Sequence, residues 1–245
     1  MTAADRVYKA LKEKLGIEGA TGEIRFKLSD FDITVEQNDI VGNILEEWLG
    51  KWMTKEGIPN RHNKKQESPD FWLNLEDENA DWLEVKSFTK NPNFDVAAFR
   101  SFISLIIDKP WKLHSKYLLI SYTMQDGIVT IKQIWLKNIW EICCSSGSWP
   151  IKVQCKRGQI NNIRPATWYS KKSDFEPFNS LEDFLAAVEE TIYKYADTRY
   201  TLAEKWISQL KASYKKFYNV DLDIPRWNDI KSKYIKSSDK QASSN

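Results

Sequence analysis

Three charged side chains, Asp70, Glu84 and Lys86, interrupt two otherwise apolar runs in the stretch SPDFWLNLEDENADWLEVKSF, residues 68–88. An unpaired buried charge is expensive, so charges inside core-forming strands imply either water or a function. Alternate side chains on a strand share a face. If residues 82–88 are extended, Glu84 and Lys86 are therefore neighbours, and Leu83, Val85 and Ser87 face the other way. A preceding strand that opens at Asp70 and returns through the polar turn at residues 76–81 brings Asp70 beside Glu84. Two carboxylates meeting there suit a hard divalent cation with oxygen ligands and water completing its shell. An ammonium group beside such a cation suits phosphodiester hydrolysis, in which it orients the attacking water and stabilises developing negative charge. The letters alone decide little, because a Pro-Asp pair followed at this range by an acid-x-Lys triplet arises by chance in roughly one in ten chains of this length. Their setting decides more. A solvated hairpin, the competing reading, has no need of Phe71, Trp72, Leu73, Leu75, Trp82, Leu83 and Val85 around those charges.

The elements that must position this triplet are legible in the hydrophobic pattern. Residues 3–15 read as an amphipathic helix that ends in a glycine-containing turn. GEIRFKL and FDITVEQ alternate at the strand period around a Ser29-Asp30 turn. In IVGNILEEWLGKWM the residues Ile40, Val41, Ile44, Leu45, Trp48, Leu49 and Trp52 recur at helical spacing and define one apolar face. DVAAFRSFISLII predicts a helix stopped before Pro110, and KYLLISYTM and IVTIKQIWL predict two buried strands joined at Gln125-Asp126-Gly127. Residues 180–195 and 202–218 predict two further helices, the first with Ser180 as its cap. The polar ending, residues 236–245, has the composition of a disordered tail. With no repeat and no linker, one α/β domain over residues 1–235 is expected, built on a central mixed β-sheet flanked by helices, with helices following at its C-terminal end.

Composition narrows the function classes. The chain has 245 residues, enough for a real core, with 42% hydrophobic and 29% charged residues. No apolar run approaches the ~18 residues of a membrane span, and the N-terminal helix lacks the apolar centre of a signal peptide, so an intracellular protein is expected. Cys143, Cys144 and Cys155 form no CxxC pair, and only His62 and His114 accompany them, which argues against a zinc site or a Cys/His nucleophile. Neither a phosphate-binding GxxxxGK loop nor a GxGxxG turn is present. Basic residues exceed acidic ones by only two, so any nucleic-acid surface must come from charge distribution rather than net charge.

The PD-x13-ExK arrangement between strands resembles the PD-(D/E)xK nuclease superfamily. IWLKNIWEI and WPIKVQCKRGQINNIRP, placed well downstream, are similar to the NgoBV/NlaIV group of type II restriction endonucleases. The resemblance covers about residues 5–215 and implies a restriction-endonuclease-like fold. It further implies a homodimeric, Mg²⁺-dependent enzyme of the cytoplasm of a prokaryote, acting on double-stranded DNA. The short palindrome GGNNCC, a product with a 5′-phosphate and a partner DNA methyltransferase that protects the host genome follow from the same likeness. Carried over by position, Asp70 and Glu84 match the metal-binding acids, with the main-chain carbonyl of Val85 as a further oxygen ligand, and Lys86 matches the catalytic lysine. Many members add an acid from the preceding helix. On a helical wheel Glu47 flanks the apolar face, whereas Glu46 points nearly opposite, so Glu47 is the expected addition, with a solvated helix charge as the alternative.

A candidate DNA-recognition segment spans residues 149–168. Within it Lys152, Gln154, Lys156, Arg157, Gln159, Asn161, Asn162 and Arg164 occur without an acidic residue. Arg and Lys pair with guanine edges and Asn and Gln with adenine edges, which makes a base-reading ribbon one reading and a phosphate-contacting or solvated hairpin the other. Lys171, Lys172, Lys215 and Lys216 fit phosphate contacts or plain surface. Trp48, Trp52, Trp82, Trp135 and Trp140 are expected in the core, and Trp149 and Trp168 are candidates for DNA contact. The rival readings of the whole chain are a repair or junction-resolving nuclease with the same metal site, a DNA-binding protein without catalysis, and an α/β interaction protein that binds no DNA.

Overall fold

A computed structural model describes residues 1–65, 67–170, 173–194 and 203–234. The expected tail at 236–245 and the Lys171-Lys172 pair lie outside the described residues. The elements follow in chain order. Helix α1 (Ala3–Lys9) continues as a wider π-helical turn (Ala10–Leu15), and three short strands come next: β1 (Thr21–Glu23), β2 (Arg25–Leu28) and β3 (Phe31–Thr34). Helix α2 (Val41–Lys55) precedes β4 (Arg61–His62), β5 (Phe71–Trp72) and β6 (Trp82–Phe88). After β7 (Ala97–Ala98) and α3 (Phe99–Asp108) come the long strands β8 (Lys116–Gln125) and β9 (Ile128–Asn138). The chain then forms β10 (Val153–Lys156), β11 (Gln159–Ile163), α4 (Leu181–Lys194), α5 (Ala203–Tyr218) and α6 (Trp227–Ile230).

These elements divide into two compact units, residues 1–92 with 115–137, and residues 93–114 with 138–245. Each unit is therefore built from two separated stretches of chain. The first unit holds the mixed sheet, in the order β1-β9-β8-β6-β5-β4. Strands β6 and β8 run parallel, with Glu84 opposite Tyr117 and Lys86 opposite Leu119, while β5 lies antiparallel on the other side of β6. The continuous apolar run of β8 has its reason in this central position: Tyr117, Leu118, Leu119 and Ile120 are all buried. The β8–β9 turn places Asp126 and Gly127 at positive φ, as a two-residue hairpin needs. Val7, Leu11, Leu49, Met53, Phe71, Leu83 and Leu118 share one apolar core in which α1 and α2 cover the sheet.

Helix α2 is set on the sheet differently from the wheel drawn through its apolar residues. Val41, Leu49, Trp52 and Met53 are buried, but Ile44 and Trp48 are exposed. The buried face is turned toward Gly42, Glu46 and Gly50. A Cβ at Gly42 would come 3.2 Å from Ser87 Oγ, and one at Gly50 would come 3.0 Å from the Phe71 ring. Glycines at these two positions let the helix backbone approach β6 and β5 closely. Trp48 accordingly leaves the expected core and stacks on Trp52 at 6.0 Å.

The second unit contains a three-stranded sheet, β10-β11-β7, and the helices α3 to α6. Phe99, Phe102, Ile103 and Ile106 bury one face of α3, with Phe102 edge-on to Phe184 of α4 at 6.0 Å and Trp206 Nε1 of α5 donating to the Ile103 carbonyl at 2.8 Å. The predicted cap of α4 is present, Ser180 Oγ accepting from the Asp183 amide at 3.1 Å.

Candidate active site

Strand β6 carries the two charges into the interior. Its residues Trp82, Leu83, Glu84 and Val85 are buried and Glu84 is only 4% exposed, so the glutamate is held among the core side chains rather than in water. Strand β5 is short, but its pairing of Phe71 with Leu83 and Trp72 with Trp82 continues the ladder toward Asp70 and Glu84. The Asp70 carbonyl accepts from the Asn63 amide at 2.8 Å and fixes the chain just before β5. Asp70 Oδ2 accepts from the Val85 amide at 2.7 Å, which clamps this carboxyl group to β6. Ser68 Oγ donates to Glu84 Oε1. Asp70, Glu84 and Lys86 are thereby brought near one another where β5 meets β6.

Electrostatics agree with the geometry. Burial pushes the Asp70 carboxyl up to about 7, and the neighbouring Glu84 charge pushes in the same direction. Lys86 and the Val85 amide act against that shift, while Glu46 adds to it. Two carboxylates crowded in a partly desolvated place favour either a shared proton or a cation.

Among the described residues no three His, Cys, Asp or Glu side chains are grouped so as to hold a metal ion. The donor set at β5–β6 is two carboxylates, and its fit to a cation rests on the burial and the Glu84 charge that lift Asp70, together with the hard oxygen chemistry of both groups. Such a set suits a cation that keeps several waters, as Mg²⁺ does.

The acid that helix α2 directs here is Glu46. Its side chain is 25% exposed, against 56% for Glu47, and its charge is the one that bears on Asp70. The physical reason is the rotation of α2 described above, which sets Glu46 between Gly42 and Gly50 on the sheet side. Glu46 Oε1 lies 2.7 Å from His62 Nε2, and Glu47 lies 3.7 Å from the other ring nitrogen. His62 itself stacks on Phe71 at 4.6 Å. Nothing in the sequence around His62 marks it as part of this cluster. Strand β4 is two residues long and has no periodicity to read, although the helical spacing of Gly42, Glu46 and Gly50 could have found its partner.

The basic segment of the second unit is a tight β-hairpin. Arg157 and Gly158 both adopt positive φ, 52° and 73°, and join β10 to β11 in a two-residue turn. Lys156, Arg157, Gln159 and Asn161 are exposed around its tip, and Gln154 and Asn162 are half-buried partners across the ladder beside a bulge at Gln154-Cys155. Two of the expected DNA-contacting side chains have other partners. The Arg164 guanidinium is bound by Asp95 and the Asn93 carbonyl, and Lys152 Nζ donates to the Pro165 carbonyl at 3.0 Å. Trp168 packs at 6.3 Å from Phe94, and Trp149 is half-buried.

Comparison with known proteins gives a consistent result. The model of the NgoBV restriction endonuclease family matches residues 1–234, across both units. The chain is 44% identical over 238 residues to the type II restriction enzyme NlaIV of Neisseria lactamica, which covers 95% of this chain and 98% of the relative. It is 41% identical over 163 residues to the type II restriction enzyme NgoBV of Neisseria gonorrhoeae, covering 63% of this chain and 90% of the relative. A solved structure of the NlaIV restriction endonuclease superposes with a TM-score of 0.89 at 43% identity, over 97% of this chain and 98% of that one.

Proposed function

The chain belongs to the NgoBV restriction endonuclease family, and from that premise we propose that it is a type II restriction endonuclease whose cleavage site is the β5–β6 cluster. The reaction is Mg²⁺-dependent hydrolysis of phosphodiester bonds in double-stranded DNA at a short palindrome, GGNNCC by resemblance to the NgoBV/NlaIV group. The observation that carries the assignment is the convergence of a lifted Asp70, a buried Glu84 and Lys86 at one strand junction. Two strands of a palindrome are cut by two sites, so the working form is a homodimer. A cognate methyltransferase protects the same sequence in the host cytoplasm. No helix among the described residues is long and apolar enough to cross a membrane.

Asp70 and Glu84 would hold the cation, with the Val85 carbonyl as a third oxygen donor. The cation supplies charge neutralisation at the phosphoryl oxygens and acidification of a water molecule. The Val85 amide keeps the Asp70 carboxylate aimed at the junction, and the Ser68 hydroxyl does the same for Glu84. Lys86 orients the attacking water and stabilises the charge that grows as the P–O3′ bond breaks, leaving a 5′-phosphate and a 3′-hydroxyl. Glu46, held by His62, adds negative charge that strengthens the cluster's demand for a cation. The exposed tip of the β10–β11 hairpin, with Lys156, Arg157, Gln159 and Asn161, contacts DNA. Gln154 and Asn162 stand behind it, whereas Arg164 and Lys152 support the hairpin from within the unit.

Digestion of phage DNA tests the assignment. Discrete, reproducible fragments in Mg²⁺ whose sequenced ends fall within GGNNCC are expected. Structure-dependent nicking, or no cleavage, would overturn it.

A further inference from the structure

The β2–β3 hairpin of the first unit presents an apolar face that no described residue covers. Its register pairs Phe26 with Ile33 and Leu28 with Phe31, so these four side chains share one face, and Arg25, Lys27, Asp32 and Thr34 share the other. All four are exposed, by 54% at Phe26, 69% at Leu28, 80% at Phe31 and 52% at Ile33. The hairpin is a two-stranded sheet of its own, an arrangement marginal in water unless its apolar side packs against something. A recess lies at the residue that leads into the hairpin. Ile24, two positions before Phe26, lines a cavity of about 220 Å³ together with Leu45 and the exposed Ile44 and Trp48 of α2.

We propose that this hairpin face and the Ile44–Trp48 rim form the surface on which a second copy of the chain docks. The choice of partner rests on the reading above, since cutting both strands of a duplex requires two sites related by a two-fold axis. Area supports that choice. The exposed parts of Phe26, Leu28, Phe31, Ile33, Ile44 and Trp48 amount to roughly 600–700 Å² if a full side chain of this size offers about 200 Å². That approaches the ~800 Å² per partner of a standard interface and exceeds what most monomers leave bare. Charge argues against DNA as the occupant. The apolar face carries no basic side chain, and on the opposite face Arg25 is already engaged by Glu23 at 2.8 Å and by Asp32 at 3.9 Å.

Sedimentation velocity on the full chain tests the proposal, with three proteins compared at micromolar concentration. Wild type and Lys27→Asp, which changes the opposite face, are expected to sediment as dimers. Leu28→Asp/Phe31→Asp is expected to sediment as a monomer with unchanged far-ultraviolet circular dichroism, dimer dissociation being at least ~100-fold easier. It is also expected to nick supercoiled plasmid rather than linearise it. Should the double aspartate fail to fold, Leu28→Ser/Phe31→Ser replaces it, with the same shift toward monomer expected. A monomeric wild type overturns the proposal, as does a folded double variant that remains dimeric, including one that stays dimeric but loses DNA binding. A dimeric wild type that cuts no DNA sinks the nuclease reading and leaves the interface standing. Cleavage by a double variant that is still dimeric sinks the interface alone.

Discussion

Replacing Asp70 with Asn should stabilise the metal-free protein while abolishing cleavage, and the size of the gain follows from the site. Burial and the Glu84 charge hold the Asp70 carboxyl at about 7, compared with 3.8 for an ordinary aspartate. A folded-state value above the unfolded one means that the folded chain binds this proton more tightly. The resulting stability is fully present below the unfolded value, near pH 4, and is lost as the pH rises to about 7. Above that pH the ionised carboxylate costs up to about 4 kcal/mol, at about 1.4 kcal/mol per pH unit. An asparagine carries no charge and can still accept from the Val85 amide. At roughly 2–4 °C per kcal/mol for a chain of this size, Asp70→Asn should raise the melting temperature at pH 8 by several degrees, and the gain should fade between pH 7 and pH 4. Differential scanning calorimetry in EDTA measures this. Added Mg²⁺ should then raise the melting temperature of wild type but not of the variant, because only an ionised pair of carboxylates gives the ion differential affinity for the folded chain. A variant less stable than wild type at pH 8 in EDTA, or one stabilised equally by Mg²⁺, would refute this electrostatic reasoning.

Five other substitutions test the positions of α2 and of the β10–β11 hairpin. Glu46→Gln should slow cleavage at saturating DNA by at least ~10-fold, since its charge acts on the site, whereas Glu47→Gln should remain within about twofold of wild type; equal effects would contradict the orientation of α2. Arg157→Ala should weaken DNA binding and reduce the salt dependence of the affinity by about one counterion. Arg164→Ala should instead lower thermal stability, by losing Asp95 and Asn93, and a mobility-shift series in salt beside a melt distinguishes the two. Gly50→Ala forces a methyl group against Phe71 at 3.0 Å. Overpacking of about 1–3 kcal/mol should outweigh the ~1 kcal/mol helix-propensity gain and lower both melting temperature and cleavage rate.

The residues that the sequence made legible are those whose environment is local. Strand alternation in residues 82–88 placed Glu84 and Lys86 on one face. The apolar density of KYLLISY marked a central strand, and the Asp126-Gly127 turn marked its hairpin, because each signal lies within a few residues of its effect. Elements set by distant contacts were not legible. The wheel for α2 was centred on its most hydrophobic residues, but two of these, Ile44 and Trp48, point away from the sheet. Glycines 42 and 50, which contribute nothing to hydrophobicity, determine the close approach and bring Glu46 rather than Glu47 to the site. Strand β7, only Ala97–Ala98, is defined by its pairing with Asn162 and Ile163 and not by its own residues. The interleaving of the two units likewise left no linker composition to read.

The most direct test of the site itself is cleavage of a supercoiled plasmid carrying one GGNNCC site, in Mg²⁺, by wild type and by the single variants Asp70→Asn, Glu84→Gln and Lys86→Ala. Wild type should convert the plasmid to the linear form, and each variant should be slower by at least ~100-fold while keeping a folded-state circular dichroism spectrum. A folded variant at any of the three positions that cuts at the wild-type rate would contradict the assignment of that residue to the chemistry.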